Sequence, residues 1–439
     1  MDVKCLIINE AGSAADFYPF SIMHSTWEVR CGALRLFEKA RLLFPGARII
    51  FRGRNEQTLS FLATEGIENC EIKRENTLVL NAETLLNKGI VEKMKAEYAK
   101  MIQSERESNV AIFVKKMSDE VIPSFIQTQF QGFPFAVYIP AAEMINPGEY
   151  DIEFLPKMMD TYYQMFQKIE IEGVISLKYV WEAIFNNGKA IEDDFLLLNK
   201  AEIREGSYPG VHFMQKDNIS VSENTLIYPG VVIDASEGPV IIGSNVKILP
   251  HSMILGPCFI GDNCAVKAGA KIYGSTSIGP TCKVGGEIEN SIIHAYSNKQ
   301  HEGFLGHSYI SEWVNLGADT NTSDLKNTYA DIKVILEGRE IDTGSMFLGL
   351  LCGDHTKSAI NTSFTTGTIA GVCGILVHDG TLPAVIPSFA WTGRKNSPIY
   401  KIDKALEVAR KVMGRRQKEL LPQQEQLLRM EFEKVNRNR

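Results

Sequence analysis

Residues 240–284 read VIIGSNVKILPHSMILGPCFIGDNCAVKAGAKIYGSTSIGPTCKV, and an aliphatic side chain returns at every sixth position. The row is Ile242, Ile248, Ile254, Ile260, Val266, Ile272, Ile278 and Val284. Two positions before each stands a small or slim residue: Val240, Val246, Ser252, Cys258, Cys264, Ala270, Thr276 and Cys282. An α-helix repeats at 3.6 residues and a strand at 2, so neither gives this spacing. A period of six is that of the hexapeptide β-helix, in which three short strands complete one triangular coil. The aliphatic residue then points into the prism, and the slim residue fits beside it where the interior narrows.

A chain of 439 residues predicts two or three domains. With 44% hydrophobic and 23% charged residues it reads as globular, not disordered. The net charge of −7 argues against a broad nucleic-acid surface. No apolar run approaches a membrane span, so no membrane partner is expected. Met1–Ile8 is too short and polar for a signal peptide and reads as a first strand. The eight cysteines show no CxxC or zinc spacing. Three of them fall in the slim row, where packing explains them. Free thiols without an export signal predict a reducing cytoplasm.

Residues 1–205 alternate apolar strands with amphipathic helices, which predicts an open, mostly parallel sheet covered by helices. Ligands of such sheets sit beyond the carboxyl ends of the strands. A polar linker is expected over 206–226 and the prism over 227–390. Asp234–Gly238 should bulge from a corner. The period breaks over 285–312 and again over Thr322–Gly344, so two excursions are expected. In the C-terminal segment, 391–439, Ile402, Leu406, Ala409 and Met413 would line one face of a helix.

The region after the clean repeat holds Gly306-His307-Ser308-Tyr309, then Asn315-Leu316-Gly317-Ala318. These segments resemble the acetyltransferase half of the bifunctional glucosamine-1-phosphate acetyltransferase/N-acetylglucosamine-1-phosphate uridyltransferase family. A divergent bacterial branch of sugar nucleotidyltransferases is more similar still, through Gly285-Gly286-Glu287, Tyr296-Ser297-Asn298-Lys299, Ser323-Asp324-Leu325-Lys326-Asn327 and Gly353-Asp354-His355-Thr356-Lys357. Trp181-Glu182, Asn187-Gly188 and Asp193-Asp194-Phe195 extend the likeness into the first half. It implies an α/β nucleotidyltransferase-like domain, a left-handed parallel β-helix and a C-terminal helical segment.

The resemblance places the catalytic histidine at His307. An imidazole can take a proton from an attacking sugar amine near neutral pH; a loop histidine held only by hydrogen bonds is the plain alternative. Tyr309 stands two residues past His307, where the family tyrosine lies three past. Lys299 and Lys326 have ammonium groups suited to a sugar phosphate, or are solvated lysines. Asn315 either aligns substrate or fills a turn. Asp324 stands where the family has a sugar-binding Asn. His355 is a second candidate base, with His251 and His294 behind it. Spread over separate coils, these histidines show no metal-ligand spacing. Arg394 and Lys395 open a basic stretch that continues through Lys401, Lys404, Arg410, Lys411, Arg415 and Arg416; it suits the phosphates of acetyl-CoA, or is a solvated helix face.

The first half departs from the family. Ile8–Ala15 carries one glycine where a Gly-rich phosphate cradle is expected, and no lysine follows Pro19. Ala82 falls where an Asp would bind Mg²⁺. Arg30 remains a candidate phosphate contact, with an ion pair as its alternative. The expected function is acetyl-CoA-dependent N-acetyl transfer to an amino-sugar 1-phosphate, glucosamine 1-phosphate by preference. Coupled uridylyl transfer from UTP with Mg²⁺ is the weaker expectation. A homotrimer would bind these ligands between subunits. The competing readings are a non-catalytic sugar-nucleotide binding or scaffold protein, and an acyltransferase using a longer chain.

Overall fold

The computed structural model describes residues 1–10, 14–104, 108–116, 133–144, 166–204, 206–377, 381–393 and 399–437. Contacts divide them into two units. The first comprises Met1–Ala15, Ser25–Glu28 and Leu34–Lys178; the second comprises Asp16–His24, Val29–Ala33 and Tyr179–Arg439. Two short N-terminal stretches thus group with the second unit.

In the first unit six strands form one sheet in the order Arg48–Arg52, Cys5–Asn9, Thr77–Asn81, Phe133–Ile139, Ala111–Lys115, Gln167–Ile171. Phe133–Ile139 runs antiparallel to both neighbours and the other pairings are parallel. Alternation along each strand feeds both faces: Leu6, Ile8, Leu78 and Leu80 enter one core, and Cys5, Ile7, Val79 and Ile112 the other. Helices Leu36–Leu43, Asn55–Glu65 and Lys88–Ile102 follow strands in the expected alternation.

The second unit is a parallel β-helix. Ile242 pairs with Ile260 and Ile260 with Ile278, eighteen residues per coil. Every member of the aliphatic row is fully buried, and the slim row is at most 2% exposed. The first strands, His212–Met214 and Ile219–Val221, lie inside the expected linker, so coiling begins earlier than 227. Ile219 pairs with Val240, twenty-one residues on, which places the Asp234–Gly238 insertion in that coil.

The break in period over 285–312 is not an excursion. Lys283 pairs with Asn298 and Ile292 with Tyr309, fifteen and seventeen residues on. The coils are shorter there, and the chain stays in the prism. The second break does leave it. Tyr309 pairs with Leu351, and an antiparallel hairpin of Lys333–Leu336 with Arg339–Asp342 fills the insertion.

Helices Val180–Phe185 and Asn187–Leu197 belong to this unit. Asn187 Oδ1 accepts from Gly32 N at 2.7 Å and its Nδ2 donates to Ser275 O at 2.7 Å. Gly32 has φ +89°, and a Cβ there would meet the Asp194 carboxylate at 2.4 Å, so only glycine fits. Helices Ile402–Gly414 and Pro422–Arg437 pack Leu406, Leu427 and Leu428 with Val372, Cys373 and Phe389 of the last coils. On the first of them Ala405, Leu406, Ala409 and Met413 are buried, close to the predicted face. All eight cysteines are free thiols, and no helix of the described residues is long and apolar enough to cross a membrane.

Candidate functional site

His307 sits between strands Phe304–Gly306 and Tyr309–Ile310, at a corner with φ +41°. The next coil begins with Asn321–Thr322 and carries Asp324 to the same corner. Gly306 N donates to Thr322 Oγ1 at 3.2 Å, which sets the two coils in register. Nδ1 of His307 then lies 2.8 Å from Oδ2 of Asp324. The hairpin's return leg closes the other side: Leu348 N donates to Asp324 O and Gly349 N to His307 O, each at 2.9 Å. The Phe347 ring stacks on the imidazole with centroids 4.9 Å apart. Both dyad side chains keep some contact with solvent, at 17% for His307 and 14% for Asp324.

This arrangement has a chemical direction. With Nδ1–H donating to a carboxylate, Nε2 carries the lone pair and faces away from Asp324. The carboxylate orients the ring and would stabilise the imidazolium after proton uptake. Asp324, expected as a sugar contact, lies against the His307 ring.

The other predicted residues disperse. Asn315 accepts from Asn298 Nδ2 at 3.4 Å, and Asn298 Oδ1 accepts from Arg416 at 3.1 Å. Near them the Lys283 ammonium is pushed below its ordinary value, first by burial and then by Arg416, Lys267 and Arg415. The charges acting on it are all positive, so this face favours an anion. Arg394 and Lys395 lie outside the described residues.

Lys299 is only 2% exposed, and its Nζ donates to the carbonyls of His301, at 2.5 Å, and Glu302, at 3.1 Å. Burial pushes it down to about 8. Its ammonium satisfies the shortened coil from within. Lys326 is half-buried at the hairpin base and donates to Asp331 O at 2.9 Å. Arg30 is buried; its guanidinium donates to the carbonyls of Ala33 and His294 and lies over the Phe259 ring. Its backbone N–H donates to Tyr309 Oη at 3.1 Å. Burial raises the Tyr309 phenol above its ordinary value, so it stays protonated. His355 is buried and stacks on Trp313, which stacks on Tyr296 one coil earlier. Burial lowers His355 to about 3, with Lys357 adding to the effect. His251 is exposed at a left-handed corner, and His294 is buried against Glu312.

In the first unit, Glu10 ends the first strand buried, with both oxygens held by Arg54 Nε and Nη2 at 3.0 Å each. Thr26 N also donates to it, at 2.9 Å. Asn9 Nδ2, Ser25 Oγ, Trp27 Nε1 and Thr84 Oγ1 are buried without a hydrogen-bond partner. The described residues at this strand end do not fit Mg²⁺. Ala82 offers no ligand atom, Asn81 Oδ1 accepts from Glu83 N, and Glu83 accepts from Thr26 Oγ1 at 2.6 Å. Among the described residues no group of three ligating side chains gathers there.

Sequence reasoning missed Phe347 and the contact between Asp324 and His307. Phe347 follows a hairpin whose length hides its return, and nothing in the periodicity points to it.

Comparison with known proteins accords with both halves. Residues 6–203 match a family described as sugar nucleotidyl transferase, and residues 239–274 match the bacterial transferase hexapeptide family (six repeats). A bifunctional sugar-1-phosphate nucleotidylyltransferase/acetyltransferase of Sulfurisphaera tokodaii is 33% identical over 85 residues, 19% of this chain and 21% of that protein. The bifunctional protein GlmU of Methanocaldococcus jannaschii is 31% identical over 85 residues, with the same shares. The match thus spans about a fifth of the length of these relatives. A solved histidine-to-alanine mutant of GDP-perosamine N-acetyl transferase from Caulobacter crescentus, in complex with CoA and GDP-perosamine, is 15% identical with a TM-score of 0.13. It covers 36% of this chain and 50% of that one, a likeness too low to carry an argument. The chain carries a sugar nucleotidyl transferase domain followed by bacterial transferase hexapeptide repeats.

Proposed function

We propose that the protein is an acetyl-CoA-dependent N-acetyltransferase acting on an amino-sugar 1-phosphate, with glucosamine 1-phosphate the favoured acceptor. The observation that carries this reading is the His307–Asp324 dyad, with Nδ1 and Oδ2 at 2.8 Å in a partly open corner. The sugar amine attacks the thioester carbonyl of acetyl-CoA, a co-substrate. Nε2 of His307 takes the amine proton, and Asp324 stabilises the charged ring. Backbone N–H groups at a coil corner stabilise the tetrahedral oxyanion. Collapse expels the CoA thiolate, which takes up a proton, and leaves the N-acetyl sugar phosphate. The cationic face around Lys283, Arg415 and Arg416 supports a place for the phosphates of the donor. Arg394 and Lys395 are kept, from the sequence alone, as proposed contacts to the donor. A homotrimer and a cytoplasmic setting are part of the proposal; light scattering of the purified chain reads the first.

The test is CoA thiol release from acetyl-CoA with glucosamine 1-phosphate, comparing the intact chain with His307→Ala. Release by the intact chain, with a loss of about a hundredfold or more in the variant, supports general-base transfer. No release from folded protein removes this donor–acceptor pair; a longer-chain acyl donor is then tried in the same assay.

For the first unit a second reading is favoured by a specific observation. Glu10 and Arg54 occupy each other, and among the described residues no group of three ligating side chains gathers at the strand end. We infer sugar-nucleotide binding without turnover there. Binding of a UDP-sugar without pyrophosphate formation from UTP and sugar 1-phosphate supports it; pyrophosphate formation restores uridylyl transfer.

A further inference from the structure

His24, Glu312 and Asp354 are far apart in sequence, yet each brings a ligand atom within 4.8 Å of the others'. All three belong to the second unit. His24 Nε2 lies 3.0 Å from Asp354 Oδ2. Glu312 Oε1 lies 3.1 Å from His294 Nδ1. Phe20 roofs the group, stacking on His24 with centroids 4.5 Å apart and tilting against His294 at 5.2 Å. Neither His24 nor Asp354 takes any part in the proposed acetyl transfer.

An independent feature points to a ligand. Asp354 is 3% exposed, and its Oδ1 is buried with no hydrogen-bond partner. A carboxylate oxygen left unsatisfied in the interior is costly. The neighbouring His355 Nδ1 is buried without a partner as well. A cation beside Oδ1 would satisfy that oxygen.

We propose that His24, Glu312 and Asp354 form a binding site for a divalent first-row transition-metal ion, with His294 as the outer partner that orients Glu312. Metal–ligand bonds of about 2.0–2.1 Å in a tetrahedron separate ligand atoms by roughly 3.3 Å. The His24–Asp354 spacing is close to that, so an ion replaces their hydrogen bond with small side-chain rotations. One imidazole with two carboxylates suits Mn²⁺, Co²⁺ or Zn²⁺ better than Mg²⁺, which prefers an octahedron of oxygens. Histidine-bonded carboxylates and carboxylate-bonded histidines are the usual outer support of such sites. The role assigned is a clamp. Glu312 and Asp354 sit on successive coils, where Ser311 N donates to Cys352 O and His355 N to Glu312 O. His24 comes from the Asp16–His24 stretch, so the ion would pin that stretch to both coils.

The full chain, stripped with chelator, is titrated with Co²⁺ and followed by visible absorption, then with Mn²⁺ and Zn²⁺ followed by thermal unfolding. One ion per chain and a raised Tm are expected. His24→Gln and Asp354→Asn should each weaken binding at least tenfold, and His294→Gln by about tenfold. Glu312→Gln should also weaken it tenfold; it is read first because Glu312 is the most exposed of the three and the least risk to folding. His307→Ala should bind as the intact chain does. No stoichiometric uptake at millimolar ion overturns the proposal and leaves a hydrogen-bonded ion-pair cluster. Binding that survives Glu312→Gln and His24→Gln, or that is lost in His307→Ala, overturns it too.

Discussion

Asp324 Oδ2 accepts from His307 Nδ1 across one coil of the prism, 2.8 Å apart. Asp324→Asn keeps the shape but can present N–H to Nδ1 and favour the tautomer with its proton on Nε2. Thiol release should fall by about 10²–10⁴-fold, mainly in kcat. The double variant with His307→Ala should be little worse than the worse single variant, because the two act as a unit. Steady-state kinetics of the four proteins check this; additive losses would separate the pair.

Gly306 leaves room for that carboxylate. A Cβ at 306 would lie 2.2 Å from Asp324 Oδ2 and 2.5 Å from the Phe304 ring. Gly306→Ala should displace Asp324 and lower kcat at least tenfold while the prism stays folded. Circular dichroism beside the thiol assay reads both; unchanged kcat would show that the carboxylate is not held there.

Arg30 tests a different distinction. Its guanidinium is spent on the carbonyls of Ala33 and His294. Arg30→Met should destabilise by about 2–4 kcal/mol by leaving these buried acceptors unpaired. The KM for glucosamine 1-phosphate should hold within twofold. A large rise in KM at unchanged stability would instead make Arg30 a phosphate contact.

His355 gives a pH dependence with a defined sign. Burial holds its folded value at about 3, against an ordinary 6.5. Between those values the unfolded chain binds the extra proton, so stability is full above pH 6.5 and falls as pH drops toward 3. The slope is at most about 1.4 kcal/mol per pH unit for one group. Asp354, raised by burial, acts in the opposite sense. The reading is therefore the difference between the intact chain and His355→Gln in urea unfolding from pH 7 to pH 4, with chelator present. The intact chain should lose more; parallel slopes would remove His355 as the cause.

The prism was legible because Ile242 through Val284 must each fill the same interior position, and a strict geometric demand leaves a strict period. The dyad was half legible. Gly306-His307 stands out as a motif, but Asp324 reaches it through coils shortened to fifteen and seventeen residues, where counting by six fails. Lys299 and Arg30 show charge in sequence and nothing of their burial. Their carbonyl partners belong to the backbone, which carries no residue-type signal. The His24–Asp354 contact spans 330 residues and has no spacing to read. In the first unit the strands were clear from their apolar runs, whereas the Glu10–Arg54 pair closes across two strand ends.

His307 holds φ +41° at a corner where Ser275 and Asn290 hold +54° and +43° on earlier coils. The backbone asks the same of each, and the side chain at such a corner bears little of the prism's packing. A solenoid built this way offers interchangeable sockets. A side chain at such a corner can be exchanged without renegotiating the core, so the architecture leaves the corner free to carry chemistry.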